Sequence, residues 1–283
     1  MQTTSIINNY KEEDSAMFTK HPDNMRMEPT PERVYSICRL ISQNSISKDD
    51  LKELVSLGKS NTSSSSSSII NYSLDVAEKD LDVIRLKDGK YSIVVDPVIL
   101  NSPQSFRQYV AKKAFSDEDS TFFMFSRWYI SKNEEVFALG SWEVQSKTAE
   151  REISKLKGID ENAALGWRFW AAFLGLGYLN ETTLIPNMKT RIQDVLASSF
   201  SKQFNFNEPV RAMDFINWAD SLFPECDLKN RLPLAFSAGL RTLSELGLIA
   251  FDLKKDTDKI SLYKVEGEIN EFSHITVAKE VQE

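Results

Sequence analysis

The feature that most constrains the fold is the dipeptide Asp88-Gly89, which lies between two short stretches of alternating residues. Residues 83–87 read Val-Ile-Arg-Leu-Lys, and residues 90–95 read Lys-Tyr-Ser-Ile-Val-Val. An Asp-Gly pair between two such stretches is typical of a tight turn that joins two antiparallel strands. An isolated two-stranded hairpin is marginal in water. The sequence therefore predicts a hairpin that packs on neighbouring helical segments.

The segments that precede this hairpin carry helical signals. Thr30-Pro31 is a predicted helix start, because threonine caps well and proline suits the first turn. The apolar stripe that follows at helical spacing is Val34, Ile37, Cys38 and Ile41. Residues 47–58 predict a second helix, with these residues facing inward: Leu51, Leu54 and Val55. Residues 61–79 predict a third helix. Three helices followed by a hairpin resemble a winged helix-turn-helix over residues 30–97, a fold that often binds DNA.

A similar pattern recurs near the other end of the chain. One apolar helical stripe consists of Phe215, Trp218, Ala219 and Leu222. A further helix is predicted over residues 232–247, and residues 249–253 and 260–262 then alternate around the charged segment 254–259. Residues 205–265 therefore also resemble a winged-helix unit. We expect residues 1–29 to form a flexible arm and residues 266–283 an acidic tail.

Residues 98–204, between the two units, predict a helical middle domain. Five aromatic residues lie within residues 122–129, and we expect them to form a core, since base stacking would require interleaved basic residues. Gly175 and Gly177 are interpreted as a helix stop, because the third glycine of a dinucleotide-binding loop is missing. The expected fold is mainly α, with small β-hairpin wings and winged-helix-like N-terminal and C-terminal domains around the helical middle.

The composition argues against several kinds of site. No apolar run reaches the length of a membrane span, and the polar, acidic first residues do not resemble a secretory signal. Cys38, Cys226, His21 and His274 are the complete set of cysteines and histidines, too few for a disulfide framework or a Cys/His metal site. Cys38 lies in a helical stripe and is expected to be a core residue. We expect a cytoplasmic protein with no cofactor, no metal and no catalytic residue.

The net charge of −7 is unusual for a protein that binds nucleic acid. Much of it lies at the ends: residues 1–29 carry −2 and residues 266–283 carry −4. The predicted domains are therefore close to neutral. A near-neutral domain can present a basic face, but it binds DNA weakly unless specific contacts or a partner assist.

The candidate DNA contacts lie at the start of the third helix and in the two predicted wings. In the first unit they are Lys59, Ser64, Ser65, Ser66, Ser67, Lys87 and Lys90. In the second unit they are Arg241, Lys254, Lys255 and Lys259. Hydroxyls at a helix N-terminus offer donors to phosphate, yet a serine run also suits a low-complexity loop between helices. The wing lysines are equally consistent with ordinary solvated side chains.

The whole arrangement resembles the G component of the Dpd gene clusters, bacterial defence systems that insert 7-deazaguanine into DNA. The resemblance is carried by the N-terminal unit, by Trp167-x-x-Trp170 running into Phe173-Leu-Gly-Leu-Gly-Tyr178, and by Leu184-Ile-Pro-Asn187. It implies a non-enzymatic accessory or regulatory subunit that contacts double-stranded DNA beside DNA-acting enzymes. The alternative is a protein–protein adaptor that uses winged-helix scaffolds inside a multi-subunit complex. The sequence leaves the oligomeric state open.

Overall fold

The protein is mainly helical, with small antiparallel sheets, in a computed structural model that describes residues 18, 25–55, 64–229 and 231–282. The α-helices are α1 (Pro31–Gln43), α2 (Lys48–Val55), α3 (Ser64–Asp75), α4 (Pro103–Ala114), α5 (Thr121–Ser131), α6 (Trp142–Glu152), α7 (Glu161–Phe173), α8 (Lys189–Ser199), α9 (Ala212–Asp220) and α10 (Leu234–Glu245). The strands are β1 (Ile46–Ser47), β2 (Ile84–Lys87), β3 (Lys90–Ile93), β4 (Gly177–Asn180), β5 (Thr183–Pro186), β6 (Pro209–Arg211), β7 (Ile249–Asp252), β8 (Ile260–Ser261), β9 (Glu271–Phe272) and β10 (His274–Val277). The expected fold class is confirmed at this level.

The predicted hairpin at Asp88-Gly89 is confirmed. The two turn residues have φ angles of +51° and +77°, as a tight hairpin turn requires, and Lys87 faces Lys90 across the antiparallel pair. β1 adds to the other side of β3, so the sheet order is β1-β3-β2. The first unit thus runs helix, strand, helix, helix, strand, strand.

The helices of the first unit follow the sequence prediction in part. All four members of the α1 stripe are buried. Ser47 caps α2, since its Oγ accepts from the Asp50 N–H at 3.1 Å. Leu51 is fully buried, but Leu54 and Val55 are 53 % and 47 % exposed, so the prediction that both face inward is wrong.

The middle of the molecule is built around an aromatic core. Trp167 and Trp170 of α7 are fully buried, and the Trp167 ring meets the Phe125 ring edge-on, with 4.8 Å between centroids. All five aromatic residues within residues 122–129 are buried as well, so the prediction that they form a core is confirmed. The expectation of an all-helical middle is wrong, because β4 and β5 form a hairpin directly after α7. Its turn places Glu181 at φ +53°, so no glycine marks it in the sequence.

When α8 and β10 are added to the predicted range of residues 205–265, the second unit repeats the order of elements seen in the first. α8, β6, α9, α10, β7 and β10 again run helix, strand, helix, helix, strand, strand, and the sheet order β6-β10-β7 matches β1-β3-β2. The strand that pairs with β7 is β10 and not residues 260–262, which corrects the predicted second hairpin. Residues 260–261 form β8 and pair with β9 instead.

Residues near both ends of the described part of the chain contribute to the core. Ile275, Val277 and Val281 are fully buried, so the expectation that residues 266–283 form a mobile acidic tail is wrong. The apolar strand in this segment, β10, is short and is flanked by acidic residues, so its alternating pattern is difficult to recognise in the sequence. Near the other end, Phe18 and Met25 are 3 % and 0 % exposed. Phe18 and Met25, which belong to the expected flexible arm, are therefore packed on the core.

Among the described helices, none combines the length and the apolar character that crossing a membrane requires.

Candidate interaction surfaces

The first wing presents basic residues on one face, which we call the first wing face. Paired residues of a sheet share a face, and the register pairs Lys87 with Lys90 and Arg85 with Ser92. Ser47 of β1 lies beside Lys90 in the same row. The lysines and Arg85 are exposed, and no acidic residue occupies these five positions. The sheet register therefore brings the predicted contacts Lys87 and Lys90 together with Arg85, which sequence analysis did not single out.

The two lysines are the least engaged charges of this face. Arg85 lies 3.3 Å from Asp82, whereas no ion pair within 4 Å among the described residues involves Lys87 or Lys90. On the outer edge of β2, the Leu86 N–H donates to Glu78 Oε1 at 2.9 Å. The lysine charges that have no ion-pair partner within 4 Å among the described residues thus lie on the face of the wing and not on its edge.

The predicted contacts at the start of the third helix are only partly described. The backbone of Ser64, Ser65, Ser66 and Ser67 is helical and belongs to α3. Their side chains, and Lys59, lie outside the described residues. α3 carries no lysine or arginine along its length, and its last residue is Asp75. The predicted recognition helix therefore offers no basic side chain to a phosphate.

The N-terminal segment covers part of the outward side of α3. Ile70 and Leu74 face the core, which leaves Tyr72 on the opposite side. The Arg26 guanidinium lies 4.4 Å from the centre of the Tyr72 ring and donates to its hydroxyl at 2.5 Å. The segment is anchored by Pro29, whose carbonyl accepts from Trp170 Nε1 at 2.8 Å. A nucleic-acid groove would have to displace Arg26 to reach this side of the helix.

Arg241 is buried, which corrects its prediction as a DNA contact. Its side chain lies inside the second unit, and the residue is 7 % exposed. Its guanidinium donates to the Tyr263 carbonyl at 2.7 Å and to the Ile269 carbonyl at 2.9 Å. Burial lowers the pKa of the guanidinium. Arg241 therefore fastens the segment after β8 onto α10.

α10 is enclosed on the sides where a recognition helix would be open. A Cβ at Gly239 would lie 2.7 Å from the backbone nitrogen of Lys189, so α8 is in direct backbone contact with α10. Thr242 accepts from Asn187 Nδ2 at 3.1 Å. On another side, Ser237 Oγ accepts from the Tyr263 N–H at 2.8 Å. Among the described residues, each predicted recognition helix is therefore partly covered by other segments of the chain.

The lysines predicted for the second wing lie in acidic surroundings. Lys254 and Lys259 are 3.9 Å and 3.8 Å from Asp252 and Glu271, and Lys255 is exposed. Residues 252–271 contain four lysines and six acidic residues. Their net charge of −2 disfavours approach to a phosphate backbone.

A groove lies beside this second wing, and sequence analysis did not find it. Its volume is about 840 Å³, and we call it the wing groove. Its lining includes Phe251, Leu253 and Ile269 together with Glu268 and Glu271. Leu253 and Ile269 are 55 % and 50 % exposed. The residues converge only because β7 and β9 belong to one folded unit, so no local motif marks the groove.

The described part of the chain holds no group of three or more His, Cys, Asp or Glu side chains suited to a metal ion. Both cysteines are buried. Burial raises the pKa of the Cys38 thiol to about 12 and also raises that of Cys226. These thiols are core groups, and the interpretation of Cys38 as a core residue is confirmed.

Comparison of the chain with protein-family models, curated proteins and solved structures finds no match.

Proposed function

We propose that the protein is an accessory subunit whose two winged-helix units serve as scaffolds for protein contacts. The observation that carries the proposal is that described parts of both predicted recognition helices are covered from within the chain. Tyr72 of α3 lies under Arg26, and α10 is closed by α8 and by the segment around Tyr263. A winged helix that reads DNA inserts this helix into the major groove. Here Tyr72 of α3 and the Gly239 and Ser237 positions of α10 pack against other segments of the chain.

The electrostatics support the same proposal. The chain carries −7 overall, the third helix of the first unit has no basic residue, and the second wing is net acidic. Affinity for a phosphate backbone grows with the number of neutralising contacts, and these units supply few. Exposed apolar residues such as Leu54, Leu86 and Leu246 instead suit contacts with other proteins.

The experiment is co-expression of the full tagged chain with the products of adjacent genes, followed by size-exclusion chromatography with light scattering. We expect a complex of defined stoichiometry that persists at high salt, because its contacts are largely apolar. Elution of the chain alone in every combination, together with tight DNA binding, would overturn the proposal. A role in a bacterial DNA modification or defence system stays a prediction, which the identity of the adjacent genes tests. The absence of catalysis and a cytoplasmic location also stay predictions.

The second candidate is contact with the DNA backbone through the first wing face. It is favoured by the open lysines Lys87 and Lys90, which face each other beside Arg85. Such a contact would be independent of base sequence, since these residues would meet phosphates. It is compatible with the scaffold role if partner subunits supply most of the affinity.

A salt-dependent anisotropy titration with a labelled duplex tests this second candidate. We expect weak binding at about 50 mM salt, and Lys87→Gln/Lys90→Gln should reduce the slope of log K against log salt by about 2. Lys254→Gln/Lys255→Gln is the matched control and should leave the slope unchanged. No binding at low salt, or equal effects of the two double variants, would remove the candidate.

A further inference from the structure

Of the four outer strands of the two three-stranded sheets, β2 and β6 have an edge feature that blocks further pairing and β1 is only two residues long. The fourth, β7, has no blocking feature among the described residues. The outward N–H of Leu86 on β2 is capped by Glu78. β6 begins with Pro209, which has no N–H to offer. Such devices blunt exposed edges against pairing with other chains. The lack of one on β7 leaves its edge available to a further strand.

The hydrogen bonds of β7 show which of its backbone groups point outward. The Leu248 carbonyl accepts from Ala278 N–H, and the Asp252 carbonyl accepts from Ser273 N–H, both at 2.9 Å. Residues 248, 250 and 252 therefore face β10, since successive residues of a strand alternate in direction. Ile249, Phe251 and Leu253 face away. No hydrogen bond among the described residues occupies their N–H or C=O groups.

The side chains beside this edge belong to the wing groove. Phe251 and Leu253 line it from β7, and Ile269 lines it from the segment before β9. Three carboxylates line it as well, from Asp252, Glu268 and Glu271, against two basic residues, Arg231 and Lys264. The Arg231 guanidinium is held over the Tyr263 ring at 4.8 Å. The groove therefore combines an apolar floor with a net acidic wall.

We propose that the β7 edge and the wing groove bind an extended segment of a partner protein, which adds as a fourth strand and carries alternating apolar and basic residues. Main-chain hydrogen bonds to Phe251 and Leu253 would supply the pairing, and the groove would select side chains. Basic residues fit because Asp252 and Glu271 have their nearest lysines only at 3.9 Å and 3.8 Å. The inference rests on the proposed scaffold function and names its binding edge.

A second copy of this chain is the less suitable occupant. Pairing of two β7 strands about their own two-fold axis would bring the acidic wall of each groove towards that of the other. Asp252, Glu268 and Glu271 would then approach their own counterparts, and like charges across an interface oppose association. A basic partner segment removes this repulsion and adds opposite charge.

The test uses the full chain and a synthetic peptide of about seven residues that alternates valine and lysine. Amide exchange measured by NMR should show the Phe251 and Leu253 N–H groups exchanging faster than those of Ala250 and Asp252 in the free protein. The peptide should slow exchange at Phe251 and Leu253. Slow exchange of both amides in the free protein, or no protection at millimolar peptide, would overturn the proposal.

Leu253→Pro removes the outward N–H without removing a hydrogen bond to β10. Asp252 is already extended, as the residue before proline must be. We expect this variant to weaken peptide binding about tenfold. Leu246→Gln, at an exposed apolar position directly after α10, is the control and should bind normally. Equal binding by Leu253→Pro and the unmodified chain would overturn the edge as the binding site.

Two further peptides separate backbone pairing from charge. A version N-methylated at alternate residues should lose binding, because it cannot donate to the strand. A version with glutamate in place of lysine should bind more weakly. Equal binding of the glutamate peptide would overturn the basic preference.

The outcomes for the edge and for the scaffold function are distinguishable. A partner complex that forms equally well with Leu253→Pro would leave the scaffold function standing and overturn the edge. Absence of any partner complex, with peptide binding intact, would overturn the scaffold function and leave the β7 edge standing as a binding site. A concentration-dependent dimer of the chain that Leu253→Pro abolishes would show that a second copy is the occupant and overturn the partner segment.

Discussion

Gly166 is the point where the N-terminal segment crosses α7, and the crossing leaves no room for a side chain. A Cβ there would lie 2.1 Å from the Met25 carbonyl oxygen and 2.5 Å from that of Arg26. Both obstacles are backbone atoms, which cannot rotate away. We expect Gly166→Ala to displace the segment and lower the free energy of unfolding by about 1–3 kcal/mol, measured by urea denaturation.

The matched control for this change is Asn162→Ala, at an exposed position of the same helix. Its free energy of unfolding should stay within about 0.5 kcal/mol of that of the unmodified protein. If Gly166→Ala proved as stable as the control, the close crossing of Met25 over α7 would be wrong.

Glu152 ties the end of α6 to α5 through two donors. Its Oε2 accepts from Lys132 Nζ at 2.7 Å and from Trp128 Nε1 at 2.8 Å. The hydrogen bonds from Lys132 and then Trp128 lower the pKa of this carboxyl from its usual value. A lowered native pKa means that the unfolded chain binds the proton first as the pH falls. The stabilisation is therefore present above the ordinary glutamate range and is lost on acidification through the native pKa.

We expect the stability difference between the unmodified protein and Glu152→Gln to shrink as the pH is lowered from about 7 to about 3. The measurement is the urea midpoint of each protein across this range. Glu181→Gln, an exposed residue in the β4–β5 turn, is the control and should run parallel to the unmodified protein. A constant difference for Glu152→Gln would show that its hydrogen bonds do not favour the charged form.

Helix α8 is held by a buried ion pair that no local sequence pattern reveals. Arg191 Nε lies 2.9 Å from Glu225 Oε1, with side chains 11 % and 0 % exposed. The guanidinium is also flanked by the rings of Phe115 and Phe223, at 4.9 Å and 5.1 Å. Because the partners are 34 residues apart, only the folded chain brings them together.

Removing the arginine alone would leave a buried carboxylate without its partner. We expect Arg191→Met to cost about 3–5 kcal/mol of unfolding free energy. The double variant Arg191→Met/Glu225→Gln should cost less than this single change, because the orphaned charge is gone. Urea denaturation of the two single variants and of the double variant gives a double-mutant cycle. Strict additivity would show that the two side chains are not coupled.

The elements differ in how well local pattern predicts them. The α1 stripe and the Asp88-Gly89 hairpin were predictable, because periodicity and turn chemistry act within a few residues. The pairing of β7 with β10 was not, since residues 253–273 intervene and residues 260–262 offer a nearer alternating stretch. Arg241 appeared available for DNA because its sequence neighbours do not show that Tyr263 and Ile269 carbonyls surround it.

The second unit depends on the last residues of the chain as a whole. β10 is the central strand of its sheet, bonded to β6 and β7. We expect deletion of residues 274–283 to remove cooperative folding of this unit, because two strands lose their only shared partner. Thermal melting followed by near-ultraviolet circular dichroism is the measurement. A truncated protein that melts as the full chain does would contradict the assigned topology.

Glu266→Gln/Glu280→Gln provides the control for charge. It removes two acidic groups from the same region without altering β10, and its stability should lie within about 0.5 kcal/mol of the unmodified protein. The comparison separates the strand from the acidity of the segment that contains it.

The sequence by itself determined the helical character, the first hairpin and the aromatic core, because these follow from the spacing of apolar residues and from turn chemistry. It also indicated two similar units. Only the tertiary structure decided which surfaces stay open. Exposure depends on what other segments cover, so the covering of α3 by Arg26, the closure of α10 and the free edge of β7 emerge only when distant residues meet. For this protein those contacts move the proposed function from DNA reading towards protein binding.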